Sequence, residues 1–239
     1  MDKKWISFTG GFLLLFAVYH FPEFFNALWI MAVFKIGFLL VAFATGRLQG
    51  WKGLEGYGLG FKYGWWQFLL RGLLLGLVFF GLSVALSVMM GYEQFTGFAP
   101  LSVILQKLPL LLLMTVFPSV AEDILTRGYL FGHLFVKMKP WHWVLLSAGI
   151  YVLNHIWRLS DDPSVLVYLF ILGIVLAYTV WKTRSLWLAF GIHWGANIAF
   201  ESTNGLVNTT SLVSHHGSTW LLAGSWLLLL GVFIALRRR

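Results

Sequence analysis

Charge is so sparse along this chain that it leaves long uninterrupted apolar stretches, and roughly 20 such residues are what a bilayer-spanning helix needs. Eight stretches qualify, at about 5–21, 24–45, 66–90, 102–134, 141–157, 163–181, 185–202 and 219–236. Only 11% of the 239 residues are charged and 59% are hydrophobic. Soluble domains carry about 25% charged residues, so a soluble fold of this size could not cover its surface. Disorder is excluded more firmly still. The expected fold is all-α: one domain over residues 1–239, a polytopic membrane bundle of about eight transmembrane helices. The first stretch lacks a small-residue cleavage site and reads as a retained helix. The fourth is too long for a straight crossing and is expected to tilt, bend or project beyond the bilayer.

The loops support the count of eight. Lys3, Lys4, Arg47, Lys52, Lys62, Lys137, Lys139, Lys182, Arg184, Arg237, Arg238 and Arg239 fall on one face, twelve basic residues in all. The other face has Arg158 alone, beside Glu23, Glu93, Asp161 and Asp162. By the positive-inside rule the basic face is cytoplasmic and holds both termini. The net charge of +8 is thus a topology signal, and no nucleic-acid partner is expected. The bilayer is either a bacterial cytoplasmic membrane or the endoplasmic reticulum. With no cysteine, disulfides, thiolate nucleophiles and Cys-ligated metals are ruled out. The run Gly56-Tyr57-Gly58-Leu59-Gly60 has no preceding strand and no following Lys-Ser or Lys-Thr, so it reads as part of an interfacial loop over 46–64 rather than a phosphate cradle. Asn208-Thr209-Thr210 is a glycosylation sequon in the loop 203–218.

Ionisable groups inside a membrane cost roughly 2.5–3.5 kcal/mol each and call for a reason. Arg71 and Lys107 lie near helix ends and can snorkel. Lys35, in mid-helix, either partners a buried carboxylate or lines a wet cavity. The concentration at Glu122-Asp123-Ile124-Leu125-Thr126-Arg127 is harder to explain away. Asp123 and Arg127 are spaced to pair on one helix face, which leaves Glu122 about 100° round the helix, pointing elsewhere. A structural alternative is a capping box, Ser119 to Glu122, begun by a break at Pro118. Two further pairs share helix faces: Tyr151 with His155, and His193 with Asn197. Counting from a turn near Met138 and Lys139, at 1.5 Å per residue, Glu122 and His155 fall at one depth, roughly 24–26 Å away. His193, only roughly 13 Å from Arg184, mismatches that depth unless the hairpin projects into the cytoplasm. The site is therefore expected midway in the bilayer or to its cytoplasmic side.

A carboxylate and two imidazoles meeting in a water-reachable cavity admit two hydrolytic mechanisms. Glu122 and His155 can activate a water while His193 and Asn197 hold the developing oxyanion. Alternatively Glu122, His155 and His193 ligate zinc, with an open position for water. Neither H-E-x-x-H nor G-x-S-x-G occurs.

Glu122-Asp123-x-x-x-Arg127, Tyr151-x-x-x-His155 and His193-x-x-x-Asn197 resemble, in order and spacing, the three motifs of the CAAX prenyl endopeptidase family, which includes the bacterial CPBP or ABI intramembrane peptidases. The family pattern is E-E-x-x-x-R, F-x-x-x-H and H-x-x-x-N/D on the fourth, fifth and seventh of eight helices. The motif-bearing core is about 115–200, and Lys52-Gly53-Leu54-Glu55-Gly56-Tyr57-Gly58-Leu59 resembles the loose Leu-Gly-Leu region before the family's third helix. Asp123 replaces the second Glu and Tyr151 replaces the Phe. The resemblance implies an intramembrane endopeptidase acting on a membrane-associated, CAAX-type or prenylated protein. It also implies a metal-free mechanism: Glu122 and His155 on water, His193 and Asn197 on the oxyanion, with Asp123, Arg127 and Tyr151 in support. No cofactor is then expected, zinc being the alternative. A basic rim would favour substrates delivered at the cytoplasmic face. The competing readings are a non-catalytic scaffold or immunity-type protein and a proton relay or transporter, the latter disfavoured because the halves show no internal repeat. His133, His142, His215 and His216 are expected to be solvated and His20 interfacial. Gly72-x-x-x-Gly76 is expected to be a close helix contact.

Overall fold

A computed structural model describes residues 3–25, 27–212 and 216–236. The eight expected helices are all there: α1 (Lys3–His20), α2 (Leu28–Leu48), α3 (Trp65–Met89), α4 (Leu101–Asp123, prolonged through a π-turn into α5, Tyr129–Leu134), α6 (Pro140–Asn154), α7 (Pro163–Thr183), α8 (Trp187–Ser202) and α9 (Gly217–Ala235). Six helical stretches are long and apolar enough to cross a bilayer among the described residues: Trp5–Phe24, Leu28–Leu48, Trp65–Met89, Leu101–Leu134, Pro163–Thr183 and Gly217–Ala235. The other two, α6 with 15 residues and α8 with 16, are shorter than the spans read from hydropathy. His155 caps the end of the first, and the second carries His193. Irregular backbone is tolerated at membrane depth where protein or a cavity surrounds it, and that is where α6 ends.

The loops gather at two ends. At the first, Gly58 O accepts from Leu186 N at 2.9 Å, Tyr57 packs on Gly128, and the Arg184 guanidinium lies 4.2 Å from the centre of the Phe135 ring. Lys52, Lys62, Lys137, Lys139, Lys182 and Arg184 lie in or beside these loops. At the second, Trp157 Nε1 donates to Glu23, Leu212 N donates to Tyr92 O, and His216 faces Asp162 at 3.4 Å. Basic and acidic loops thus segregate as the sequence implies. Arg237, Arg238, Arg239 and His215 lie outside the described residues.

Three features depart from expectation. A two-stranded antiparallel sheet, β1 (Glu93–Phe98) with β2 (Val207–Ser211), sits at the acidic end of an otherwise helical molecule. Its Phe, Thr and Val residues suit a strand better than a helix turn. The segment 53–60 does not lie loosely at an interface. Gly53, Tyr57, Gly58 and Leu59 are buried, Tyr57 OH donates to Ala42 O at 2.8 Å, and Trp187 Nε1 donates to Gly60 O. Its glycines serve close packing: Gly58 has φ +88° and stands against Leu186. Pro118 does not break α4, and Ser119 makes no capping box. Its hydroxyl donates back to Thr115 O at 2.7 Å.

The closest helix contact is α3 against α8. Gly72 and Gly76 face Gly191 and Gly195, and a Cβ on any of the four would meet opposing backbone. The expectation for Gly72-x-x-x-Gly76 is met, and α8 is held backbone to backbone against α3.

Candidate active site

Straight after Asp123 the helix widens into a π-turn, Ile124–Gly128. Such bulges recur at functional sites. They leave backbone carbonyls to be satisfied from elsewhere, and Ser147 of α6 donates to Thr126 O at 3.1 Å, while Thr126 Oγ1 donates to Glu122 O at 2.8 Å. Arg127 is fully buried, forms an ion pair with Asp123, and lies over the Tyr151 ring at 4.8 Å. The Asp123–Arg127 pair is as the spacing implies.

Glu122 does not point away from that pair. Asp123 Oδ1 lies 2.9 Å from His193 Nδ1, and Glu122 Oε2 lies 3.5 Å from His193 Nε2, so the adjacent acids bracket one imidazole. Glu122 Oε1 faces His155 Nε2 at 3.6 Å and accepts from Asn154 Nδ2 at 2.9 Å. The equal depth of Glu122 and His155 is therefore met. His193 reaches the same level because Leu186 packs at Gly128, 3.4 Å from where a Cβ would stand. Glu122 lies six residues from Gly128 and His193 seven from Leu186. The rest of the hairpin, α5 and its turn, extends past that level, and this absorbs the excess length of the fourth stretch.

His155 is held differently from its i, i+4 spacing. α6 ends at Asn154 and His155 is its C-cap, with its backbone N–H on Val152 O. That leaves the Tyr151 carbonyl without its usual helical partner, and His155 Nδ1 takes it at 2.8 Å. A nitrogen facing a carbonyl must be protonated, so in the neutral ring Nε2 carries the lone pair turned to Glu122. The Tyr151 ring meets His155 edge-on at 4.8 Å and His193 at 5.8 Å. Asn197 Nδ2 donates one hydrogen to Ser119 Oγ at 2.9 Å, which leaves its second hydrogen free for another acceptor. Thr115, Ser119 and Asp123 thus receive Trp194, Asn197 and His193, which fixes α8 on α4.

Among the described residues, no group of three or more His, Asp or Glu side chains is placed to hold a metal ion. Glu122 turns one oxygen to each imidazole.

A cavity of about 460 Å³ reaches Glu122, Tyr151, His155, His193 and Asn197. Phe80, Val84, Val165, Leu169 and Trp226 form apolar walls, and the cavity extends to Glu93, Arg158, Thr209 and Ser218. Those residues belong to the acidic end. The basic loops contribute nothing to the lining, so the cavity does not open towards the expected basic rim.

The sequence reading missed Asn154 and His20. His20 is buried, at 4% exposure, rather than interfacial. His133 is half-buried on Gln49 Oε1 at 3.0 Å rather than solvated. His142 and His216 are exposed as expected, and so are Arg71 and Lys107. Lys35 proves to be a carboxylate partner: its Nζ lies 3.3 Å from Glu23 Oε1 and 2.8 Å from Tyr19 O. The nearest available signal was Asn154 standing beside His155.

Residues 104–199 match the family described as Type II CAAX prenyl endopeptidase Rce1-like. The matched segment contains all three motifs and bears out the resemblance drawn from them. It supports a CAAX-type intramembrane endopeptidase in general, in an integral, multi-pass membrane protein. No curated protein matches the chain.

Proposed function

We propose that the protein is a metal-free intramembrane endopeptidase in which Glu122 is the general base. The observation that carries this reading is the convergence of Glu122 Oε1 and the His155 Nε2 lone pair, 3.6 Å apart, on a cavity wall. A water about 2.8 Å from each atom can give one hydrogen to each acceptor. Glu122 takes the proton as the water oxygen attacks the scissile carbonyl. The new oxyanion accepts from the free Asn197 N–H and is met by His193, whose ring is held by Asp123. Collapse breaks the C–N bond, and Glu122 returns its proton to the leaving amine.

The substrate is a membrane-associated protein whose cleaved segment reaches the site from the acidic end. If the basic loops are cytoplasmic, that end is the opposite side of the bilayer. The apolar walls suit hydrophobic side chains flanking the cleaved bond. Glu122→Gln, which keeps the shape and removes the base, is expected to abolish cleavage of a lipid-anchored reporter peptide in liposomes. Wild-type cleavage by that variant would refute the reading.

A further inference from the structure

On the side of Glu122 away from the cavity a string of buried polar groups runs to the acidic end of the bundle. Lys35 Nζ lies 3.3 Å from Glu23 Oε1, and His20 Nδ1 lies 2.6 Å from Glu23 Oε2. His20 Nε2 lies 3.1 Å from Asn154 Oδ1, and Asn154 Nδ2 donates to Glu122 Oε1 at 2.9 Å. The string thus ties α1, the turn after it, and α2 to the last residue of α6. Lys35, His20 and Asn154 are each no more than 5% exposed.

Donor and acceptor chemistry gives the string one sense. Glu122, acting as a base, accepts from the Asn154 amide, so Asn154 turns its carbonyl oxygen to His20. His20 must then donate from Nε2. Glu23 is left to accept from His20 Nδ1, from Lys35 and from Trp157 Nε1 at 3.1 Å. Reversing the Asn154 amide would set its carbonyl oxygen against the Glu122 carboxylate, two acceptors facing each other in a buried place. Such a chain costs desolvation and conformational freedom, and the mechanism above uses none of it directly.

We propose that Asn154, oriented by His20 and in turn by Glu23 and Lys35, is a positioning residue for Glu122. It fixes the rotation of the carboxylate so that Oε1 meets the water held by His155. Asn154 occupies one lone-pair direction of Oε1 and leaves the other for the water. His20 keeps the amide from turning over, and Lys35 with Glu23 keeps His20 from turning.

This proposal rests on the reading of Glu122 as the base, and the test separates the two. The probe is a farnesylated, fluorophore-quencher CAAX-type peptide in liposomes. Glu122→Gln, Asn154→Ala, His20→Leu and His20→Gln are compared with wild type for kcat and KM, each variant first matched for thermal unfolding. A misplaced reacting group costs about 10²-fold in rate. Asn154→Ala and His20→Leu are therefore expected to lower kcat by about that factor with KM unchanged. His20→Gln, whose amide can still donate to Asn154, is expected to recover most of the loss. Wild-type kcat in His20→Leu and Asn154→Ala while Glu122→Gln is inactive would overturn the string alone. Equal losses in His20→Leu and His20→Gln would reduce it to packing. Full activity in Glu122→Gln would overturn the assignment of the base itself.

Discussion

The position of His193 depends on a glycine two residues before it, and Gly191→Ala tests that dependence. A Cβ at Gly191 would meet Leu69 O, with Leu73 N at 2.8 Å and Gly72 Cα at 2.9 Å. All three atoms are backbone of α3, so no side chain can move aside. Comfortable contact begins at about 3.5 Å, and the Leu69 carbonyl is the tightest of the three, so α8 must retreat by roughly 1 Å. His193 moves with it, away from the Asp123 contact at 2.9 Å and the Glu122 contact at 3.5 Å. Overpacking of this kind costs about 1–3 kcal/mol of stability, and displacement of reacting groups on an ångström scale costs about 10²-fold in rate. Peptide cleavage in liposomes and thermal unfolding in detergent are measured together. Gly81→Ala is the control, since a Cβ there meets nothing within 4 Å. It is expected to leave the rate unchanged and to gain up to about 1 kcal/mol from reduced backbone freedom. Gly191→Ala with wild-type kcat would refute the argument that close packing on α3 sets the position of His193.

Asp123→Asn leaves Arg127 fully buried without its counter-charge, and breaking a buried pair in this way costs about 3–5 kcal/mol. Unfolding in detergent should register that loss, with Asp123→Glu much milder; an unchanged midpoint in Asp123→Asn would mean that Arg127 has another partner. The absence of cysteine makes single-cysteine labelling clean. Thr210→Cys, beside the cavity mouth, is expected to react with a membrane-impermeant maleimide on intact cells, whereas Lys137→Cys is expected to react only after permeabilisation. The reverse pattern would place the cavity on the cytoplasmic side.

Hydrophobic length made the helices legible. Eight stretches became eight helices, and the alternation of basic and acidic loops reappears as two chemically distinct ends. What hydropathy missed was where a helix stops for its function. α6 ends at Asn154 so that His155 can cap the Tyr151 carbonyl, and no sum of transfer energies carries that information. The π-turn at Ile124–Gly128 was illegible for a similar reason, because its freed carbonyl is met by Ser147 from another helix. The motif residues did converge. Their orientations did not follow from helical angle alone, since Glu122 and Asp123 reach opposite nitrogens of one ring. The basic rim is expected to favour substrates delivered at the cytoplasmic face, whereas the cavity lining includes residues of the acidic end and none of the basic loops.

The central claim is that Glu122, without a metal, activates the attacking water. Its most direct measurement is the cleavage rate of wild type and Glu122→Gln in liposomes, each washed with a strong chelator and assayed before and after addition of zinc. Removing a general base costs about 10²–10⁴-fold. The account predicts a loss of at least that order in Glu122→Gln, and wild-type activity that neither falls on chelation nor rises with zinc. It is contradicted by a Glu122→Gln rate equal to wild type, or by wild-type activity that is lost on chelation and restored by stoichiometric zinc.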